Sequence, residues 1–301
     1  MNFGRKYGRV LISLVLLFTI HTAHAEEVTE PKPVLPLAEK HANWVFSGSV
    51  SNETGETYDY FLQVKRNDDK VHAFVSLVDA QSKAVIFMQN AQVQLKEDEA
   101  VDHWAIGDIF IRYNTINSSW VFGFKTTNQM GFNFKVDMLN QADQDPKMQN
   151  LHQGVKMTIV QTGQVNGHMR LKENDASQFV SGPHAWFRQI VMTALPSELS
   201  ELHGLLCRFN DGSGLYSMKW VDSEMTKGTF SGLYSAEGTS TAISQFIHID
   251  HLTSGPWRVR VTYPKLQFEL SDVLQDQSIV LGFIDQKEKP GFCVISKEGL
   301  G

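Results

Sequence analysis

Along most of its length this chain alternates apolar and polar residues with a period of two, and that pattern excludes most folds. Trp44, Phe46 and Gly48 fall on one side of an extended segment. Tyr58, Tyr60, Leu62 and Val64 do the same beyond the turn residues Ser51-Asn52-Glu53-Thr54-Gly55. The alternation resumes at Trp104, Ile106, Asp108 and Phe110, then at Trp120, Phe122 and Phe124, then at Phe132, Phe134, Val136 and Met138. Successive side chains of a strand point to opposite sides, so such runs between Asn, Asp and Gly turns are half-buried antiparallel strands. No segment holds a period of 3.6 for three turns, and Pro196 to Leu202 is the best candidate for a short helical turn. The polar stretch from Asn140 to Pro146 reads as a long loop. A second series of strand-like runs then extends from Phe179 to Ile295. The expected fold class is all-β, with two antiparallel barrels or sandwiches in tandem.

The N-terminus predicts the compartment. Arg5, Lys6 and Arg9 precede an apolar run from Val10 to Ile20, and His21-Thr22-Ala23-His24-Ala25 places small residues at the -3 and -1 positions before Glu26. That order is a cleavable secretory signal peptide. The run is shorter than the roughly 20 residues a spanning helix needs. The expected mature protein therefore starts at Glu26, spans no membrane, and lies in the periplasm or outside the cell. No cysteine follows the apolar core, so lipoprotein processing is not expected.

Charge narrows the partners. The 27 basic residues include three in the signal segment, which leaves 24 against 33 acidic ones in the mature chain, a formal charge of -9. Nucleic acid and anionic membrane surfaces are disfavoured as partners. Two cysteines, Cys207 and Cys293, would meet an oxidising compartment, which makes them a disulfide candidate, although two separate buried thiols are the alternative.

Several runs together resemble one family. They are Trp44-Val45-Phe46-Ser47-Gly48 with Gly55-Glu56-Thr57-Tyr58 and Phe61, then His72 to Asp79, Trp104 to Asp108, Leu151-His152-Gln153-Gly154, and Val180 to Phe187. In this order they resemble the AttH and carotenoid 1,2-hydratase (hydroxyneurosporene synthase) family. The resemblance implies two tandem lipocalin-like β-barrels. With the signal segment read above and the prolines Pro31, Pro33 and Pro36 that follow it, the chain is expected to divide into a signal peptide (1–25), a proline-rich linker (26–42), a first barrel (43–172) and a second (173–301). Six tryptophans and 19 phenylalanines, in barrels that can leave room for one small ligand, point to an apolar, lipid- or isoprenoid-like one. One departure bears on activity: after Ala185-Trp186-Phe187 the family pattern has an aspartate, the proton donor the hydratases would need, where this chain has Arg188 and Gln189. A guanidinium stays protonated and cannot act as that acid.

The candidate site residues follow from strand geometry. His184, Trp186 and Arg188 are two residues apart and would share one face of a strand. As a binding site, Trp186 offers apolar contact and Arg188 a fork for a carboxylate. As plain structure, Trp186 is core and Arg188 a surface charge. Trp44 and Tyr60, in the first barrel, are the second candidate ligand-binding pair. His248-Ile249-Asp250-His251 has metal-ligand residue types, but His251 would point away from the other two, and an exposed strand end is the preferred reading. There is no Gly-x-Ser-x-Gly elbow, phosphate loop or dinucleotide fingerprint, so no catalytic residue, metal or cofactor is assigned. The leading expectation is a lipocalin-like protein that binds an apolar small molecule. The alternative is a lyase of hydratase type acting on such a molecule, and a third reading is a scaffold with solid barrels. Protein partners, ligand identity and oligomeric state stay open.

Overall fold

The computed structural model describes residues 36–96, 102–138, 148–193, 200–237, 239–243, 247–251, 255–276 and 278–299. The signal segment, most of the proline-rich linker and the expected loop at 140–146 lie outside the described residues. So does most of the expected helical turn, and its last residues, Ser200 to Leu202, open a strand.

Apart from a single 3-10 turn at Pro36–Ala38, the described elements are strands. β1 (His41–Asn52), β2 (Thr57–Asn67), β3 (Lys70–Asp79) and β4 (Val85–Gln94) form a meander. β5 (His103–Ile106), β6 (Ile109–Asn114), β7 (Ser119–Lys125) and β8 (Gly131–Asp137) form another. β9 (Gln149–His152), β10 (Val155–Gln161), β11 (Val165–Arg170), β12 (Gln178–Gly182) and β13 (Ala185–Met192) complete the first sheet. Its order is β4-β3-β2-β1-β12-β11-β8-β7-β6-β5, with β13, β10 and β9 branching from β1. The sheet curls into a nearly closed barrel, with Phe87 of β4 and Phe124 of β7 in ring contact at 5.4 Å.

The second sheet is a half-barrel. It comprises β14 (Ser200–Phe209), β15 (Gly214–Asp222), β16 (Met225–Tyr234), β17 (Ser240–Ala242) and β18 (Ile247–His251). β19 (Trp257–Val261), β20 (Leu266–Asp276), β21 (Ile279–Ile284) and β22 (Gly291–Gly299) follow. The order is β17-β16-β15-β14-β22-β21-β20-β19-β18, and every recorded pairing is antiparallel.

The sequence placed β12 and β13 at the head of the second barrel, after residue 173. Both belong to the first sheet instead. The reason is the length of β1. Its residues Ala42 to Gly48 pair with β13, and Ser51 and Asn52 pair with β12. One long strand thus takes two partners in succession, and the second sheet begins only at Ser200.

Three apolar clusters follow from the two-residue period. Trp44, Phe46, Tyr60, Phe122 and Phe134 fill the first barrel, all with side chains closed to solvent. Their rings touch: Trp44 meets Trp104 at 5.5 Å, Phe46 meets Phe122 at 4.5 Å, and Tyr60 meets Phe134 at 5.1 Å. Leu205, Cys207 and Phe209 of β14 lie inside the half-barrel with Phe268 and Cys293. The third cluster lies between the sheets, where Val45, Phe61, Trp186 and Ile190 of the first meet Leu202, Leu206, Tyr216 and Val294 of the second. β14 is therefore buried on both sides, one side facing each layer. Cys207 and Cys293 are directly opposed on β14 and β22 and form a disulfide that joins positions 86 residues apart.

Candidate functional site

β2 shows how the site is built. Tyr58, Tyr60, Leu62 and Val64 enter the barrel, so Asp59, Phe61, Gln63 and Lys65 must face outward. That outer side meets the second sheet, and its polar residues become interface residues. Register extends them into rows across the strands. Asn43 stands opposite Lys65, Lys65 opposite His72, and His72 opposite Gln92. The neighbouring row is Val45, Gln63, Phe74 and Asn90. Over this end of the interface the sheets stand apart around a cleft of about 460 Å³. All of these row residues except Val45 line it as a floor, Met192 of β13 borders them on the same sheet, and Asp276, Ser278 and Ile279 of the second sheet line the other side.

The floor residues Asn43, Gln63 and Lys65 also hold a buried charged cluster between the sheets, centred on Glu298 of β22, which is 1% exposed. Its carboxylate accepts from Gln63 Nε2 at 2.6 Å and from Asn43 Nδ2 at 2.7 Å. Lys65 Nζ stands 3.0 Å from it and Arg188 Nη2 3.4 Å. Burial pushes the Glu298 pKa up, but the charges of Lys65 and Arg188 with the bonds from Lys65 and Gln63 outweigh it, and the net direction is down. Arg188 is equally buried, and burial lowers its pKa against the opposing pull of Glu298. Its Nη2 also donates to Asn43 Oδ1 at 2.9 Å and its Nη1 lies 3.3 Å from Met218 Sδ. Gly204 makes room for this fork, since a Cβ there would sit 3.0 Å from Arg188 Nη1.

A second polar cluster lies at the other end of the interface. Ser49 Oγ donates to the Asp59 carboxylate and accepts from Arg208 Nη1 at 2.6 Å. Burial pushes Asp59 up to about 6, against the Ser49 bond and the charge of Arg208. Asp59 and Lys65 are six residues apart on β2, about 20 Å along the strand.

The structure distributes the sequence-predicted residues over different environments. Trp186 and Arg188 share the inter-sheet face of β13, as their spacing predicts. Arg188 is no surface charge: it is held by Glu298 and Asn43. Trp186 is closed in, its Nε1 donating to Cys207 O at 3.2 Å and its ring edge-on to Tyr234 at 5.1 Å. Trp44 and Tyr60 point into the first barrel, so the sheet itself separates them from Arg188. Neither Trp44 Nε1 nor Tyr60 Oη has a hydrogen-bond partner among the described residues. Burial pushes the Tyr60 phenol upward. His184 precedes β13, and its Nδ1 lies 3.2 Å from Thr162 O. It comes close to Tyr60 at Gly48, where a Cβ would sit 2.7 Å from Tyr60 Oη and 3.2 Å from His184 O. In the His248 to His251 run, Arg260 Nη2 bonds Asp250 at 2.5 Å and His251 stacks on Trp257 at 4.4 Å. Asn43, Asp59, Gln63, Lys65, Arg208 and Glu298 were not singled out from sequence. Phe61 was the available signal: a large apolar residue on the side of β2 that should face water means the strand is covered on both sides.

No protein-family model matches the chain, and no curated protein matches it in sequence. Solved structures do match. A protein of Nitrosomonas europaea assigned to AttH superposes with a TM-score of 0.59 at 12% identity, over 86% of this chain and 92% of that one. Kievitone hydratase from Nectria haematococca superposes with a TM-score of 0.60 at 8% identity, covering 92% and 95%. CghA with Sch210972 gives 0.52 at 10% identity, covering 87% and 89%. At these identities the likeness concerns fold. The chain has the lipocalin-like fold of the AttH and hydratase proteins, a nearly closed barrel followed by a half-barrel.

Proposed function

We propose that this is an exported small-molecule-binding protein whose ligand, an amphipathic lipid- or isoprenoid-like compound, lies in the cleft between the two sheets. The cleft carries this reading. Its volume is within the roughly 300–1,000 Å³ of ordinary ligand pockets. Phe74, Met192 and Ile279 give it an apolar side, while Lys65, His72 and Gln92 give it a polar one. The first barrel supports the same placement, because its aromatic rings are in contact where a lipocalin ligand would otherwise lie. Gln92 is exposed on β4, so Gln92→Trp should obstruct the cleft without disturbing a core. The expected result is at least tenfold weaker binding of decanoic acid, measured by calorimetry, at an unchanged melting temperature. Undiminished binding by this variant would place the ligand elsewhere.

Export is supported by the signal-like segment and by the Cys207–Cys293 disulfide, which suits an oxidising compartment. Protein recovered from the periplasm should begin at Glu26 and show no free thiol when titrated in denaturant without reductant. A retained Met1 or two free thiols would count against it.

A second reading, hydratase-type catalysis, is favoured by Asp59, a buried carboxyl that keeps its proton up to about pH 6. Such an acid could protonate a trisubstituted alkene, water could capture the tertiary cation, and the proton lost from that water could restore the acid. Farnesol incubated with the protein in ¹⁸O-water should then gain one labelled hydroxyl, and Asp59→Asn should abolish the gain. No label with the parent protein removes this reading and leaves the binding reading intact.

A further inference from the structure

The cleft is positively charged in a chain that is not. The formal charge of the whole is -6, yet the cleft lining includes Lys65, Arg66 and Lys70 against Asp276. Asp276 already accepts a bond from Asn90 Nδ2. Arg66 is committed to the barrel end, where it donates to Leu37 O at 2.9 Å and Asp68 O at 2.7 Å and lies over Trp104. Between the sheets, the single negative charge of Glu298 faces two positive ones, Lys65 and Arg188. Arg188 is closed to solvent, so the surplus charge is presented through Lys65, whose side chain is 32% exposed. His72 stands opposite Lys65 on β3, and Lys70 lies two residues along the same face, about 7 Å away. The amides of Asn67 and Gln92 flank them.

An uncompensated charge at the base of a concave, partly desolvated site attracts a counter-charge from solution. We infer that Lys65, Lys70 and His72 form an anion subsite that holds the carboxylate or phosphate head group of the cleft's ligand. This rests on the cleft reading above and assigns the chemistry of the ligand's polar end. Lys65 supplies the charge nearest the buried cluster. Lys70 and His72, both exposed on β3, reach the head group from the open side. The apolar tail lies against Phe74, Met192 and Ile279.

Calorimetry on the mature protein with decanoate, decyl phosphate, decanol and inorganic phosphate tests the subsite. Decanoate and decyl phosphate should bind about tenfold more tightly than decanol, as a charge-assisted hydrogen bond predicts. Raising salt should narrow that gap. Lys65→Met should reduce the preference most, but it also removes a partner from Glu298. Lys70→Gln, at an exposed strand position, keeps the test independent of folding: it should weaken decanoate about twofold to fivefold and leave decanol unchanged. Displacement of decyl phosphate by equimolar inorganic phosphate supports the subsite and makes a free anion its occupant. Binding of the decyl anions without such displacement supports it and makes a lipid head group the occupant. Equal affinity for decanoate and decanol, unaltered in Lys70→Gln, overturns the inference while the cleft reading stands. Binding of none of the four overturns both.

Discussion

The interface between the two sheets buries one carboxylate at each end, and the two are treated oppositely. Glu298 and Asp59 are both almost fully excluded from water, and desolvation alone would raise both pKa values. At Glu298 the rise is reversed. Two cations and two amide donors converge on it, and the net direction is down. At Asp59 one hydroxyl donates, and the nearest cation, Arg208, reaches that hydroxyl rather than the carboxylate. There the rise survives, to about 6. Burial thus decides little by itself. The number and charge of the donors decide whether a buried carboxylate holds the sheets together or strains them.

Replacing each acid by its amide should separate the two cases, with the larger effect at Glu298. Glu298→Gln leaves Lys65 and Arg188 facing a neutral group, and Arg188 cannot reach solvent. Breaking a buried pair in this way typically costs about 3–5 kcal/mol. The sign with pH follows from the lowered pKa. Stability from Glu298 is present above the unfolded carboxylate value and is lost as pH falls through the folded one. Urea unfolding at pH 8 should show the full loss. A variant as stable as the parent would mean that Glu298 is not held as an ion.

The all-β fold was legible because the barrel-facing sides of β1, β2, β7 and β8 are nearly all apolar, and a two-residue period needs nothing else to be read. The interface was not. Asp59, Gln63 and Lys65 look like the solvent-facing half of an ordinary strand, and their partners come from far away: Gln63 meets Glu298 across 235 residues. Spacing put Trp186 and Arg188 on one face correctly, because that depends on β13 alone. It could not show that this face is covered by β14 and β22, which made Arg188 a buried partner of Glu298 instead of a free fork. The sheet boundary was misplaced for a related reason: two partners sharing one long strand leave no mark in local patterning.

Asp59→Asn should act in the opposite direction and somewhat less strongly. The folded pKa of about 6 lies above the ordinary 3.8. The folded protein therefore binds more protons than the unfolded chain between those values, and stability falls as pH rises through 6. The difference corresponds to about 3 kcal/mol at most. The amide keeps the shape, can accept from Ser49, and carries no charge to desolvate. The variant should match the parent near pH 4 and exceed it at pH 8, in paired urea titrations at the two pH values. A variant less stable than the parent at pH 8 would show that the Arg208 charge outweighs burial and that both ends of the interface work alike.

The smallest effect should come from Ser49→Ala, which asks whether the hydroxyl between Arg208 and Asp59 matters in proportion to the charge on Asp59. Ser49 Oγ accepts from Arg208 and donates to the carboxylate, so the variant takes one donor from Asp59 and one acceptor from Arg208. With Asp59 protonated near pH 5, the bond lost from the acid is closer to a neutral one, worth about 0.5–1.5 kcal/mol, while the charge-assisted bond lost from Arg208 costs the same at either pH. With Asp59 ionised near pH 8, the lost bond is to a charge and should cost about 1.5–3 kcal/mol. Because the Ser49 bond lowers the Asp59 pKa, its removal should move that pKa above 6, a shift that NMR titration of the Asp59 side-chain carboxyl carbon can follow. The penalty of Ser49→Ala should therefore grow with pH in the parent background and stop growing in the Asp59→Asn background. A penalty that is the same at pH 5 and pH 8 would mean that Asp59 does not change its charge in this range, and the contrast with Glu298 would fail at its weaker end.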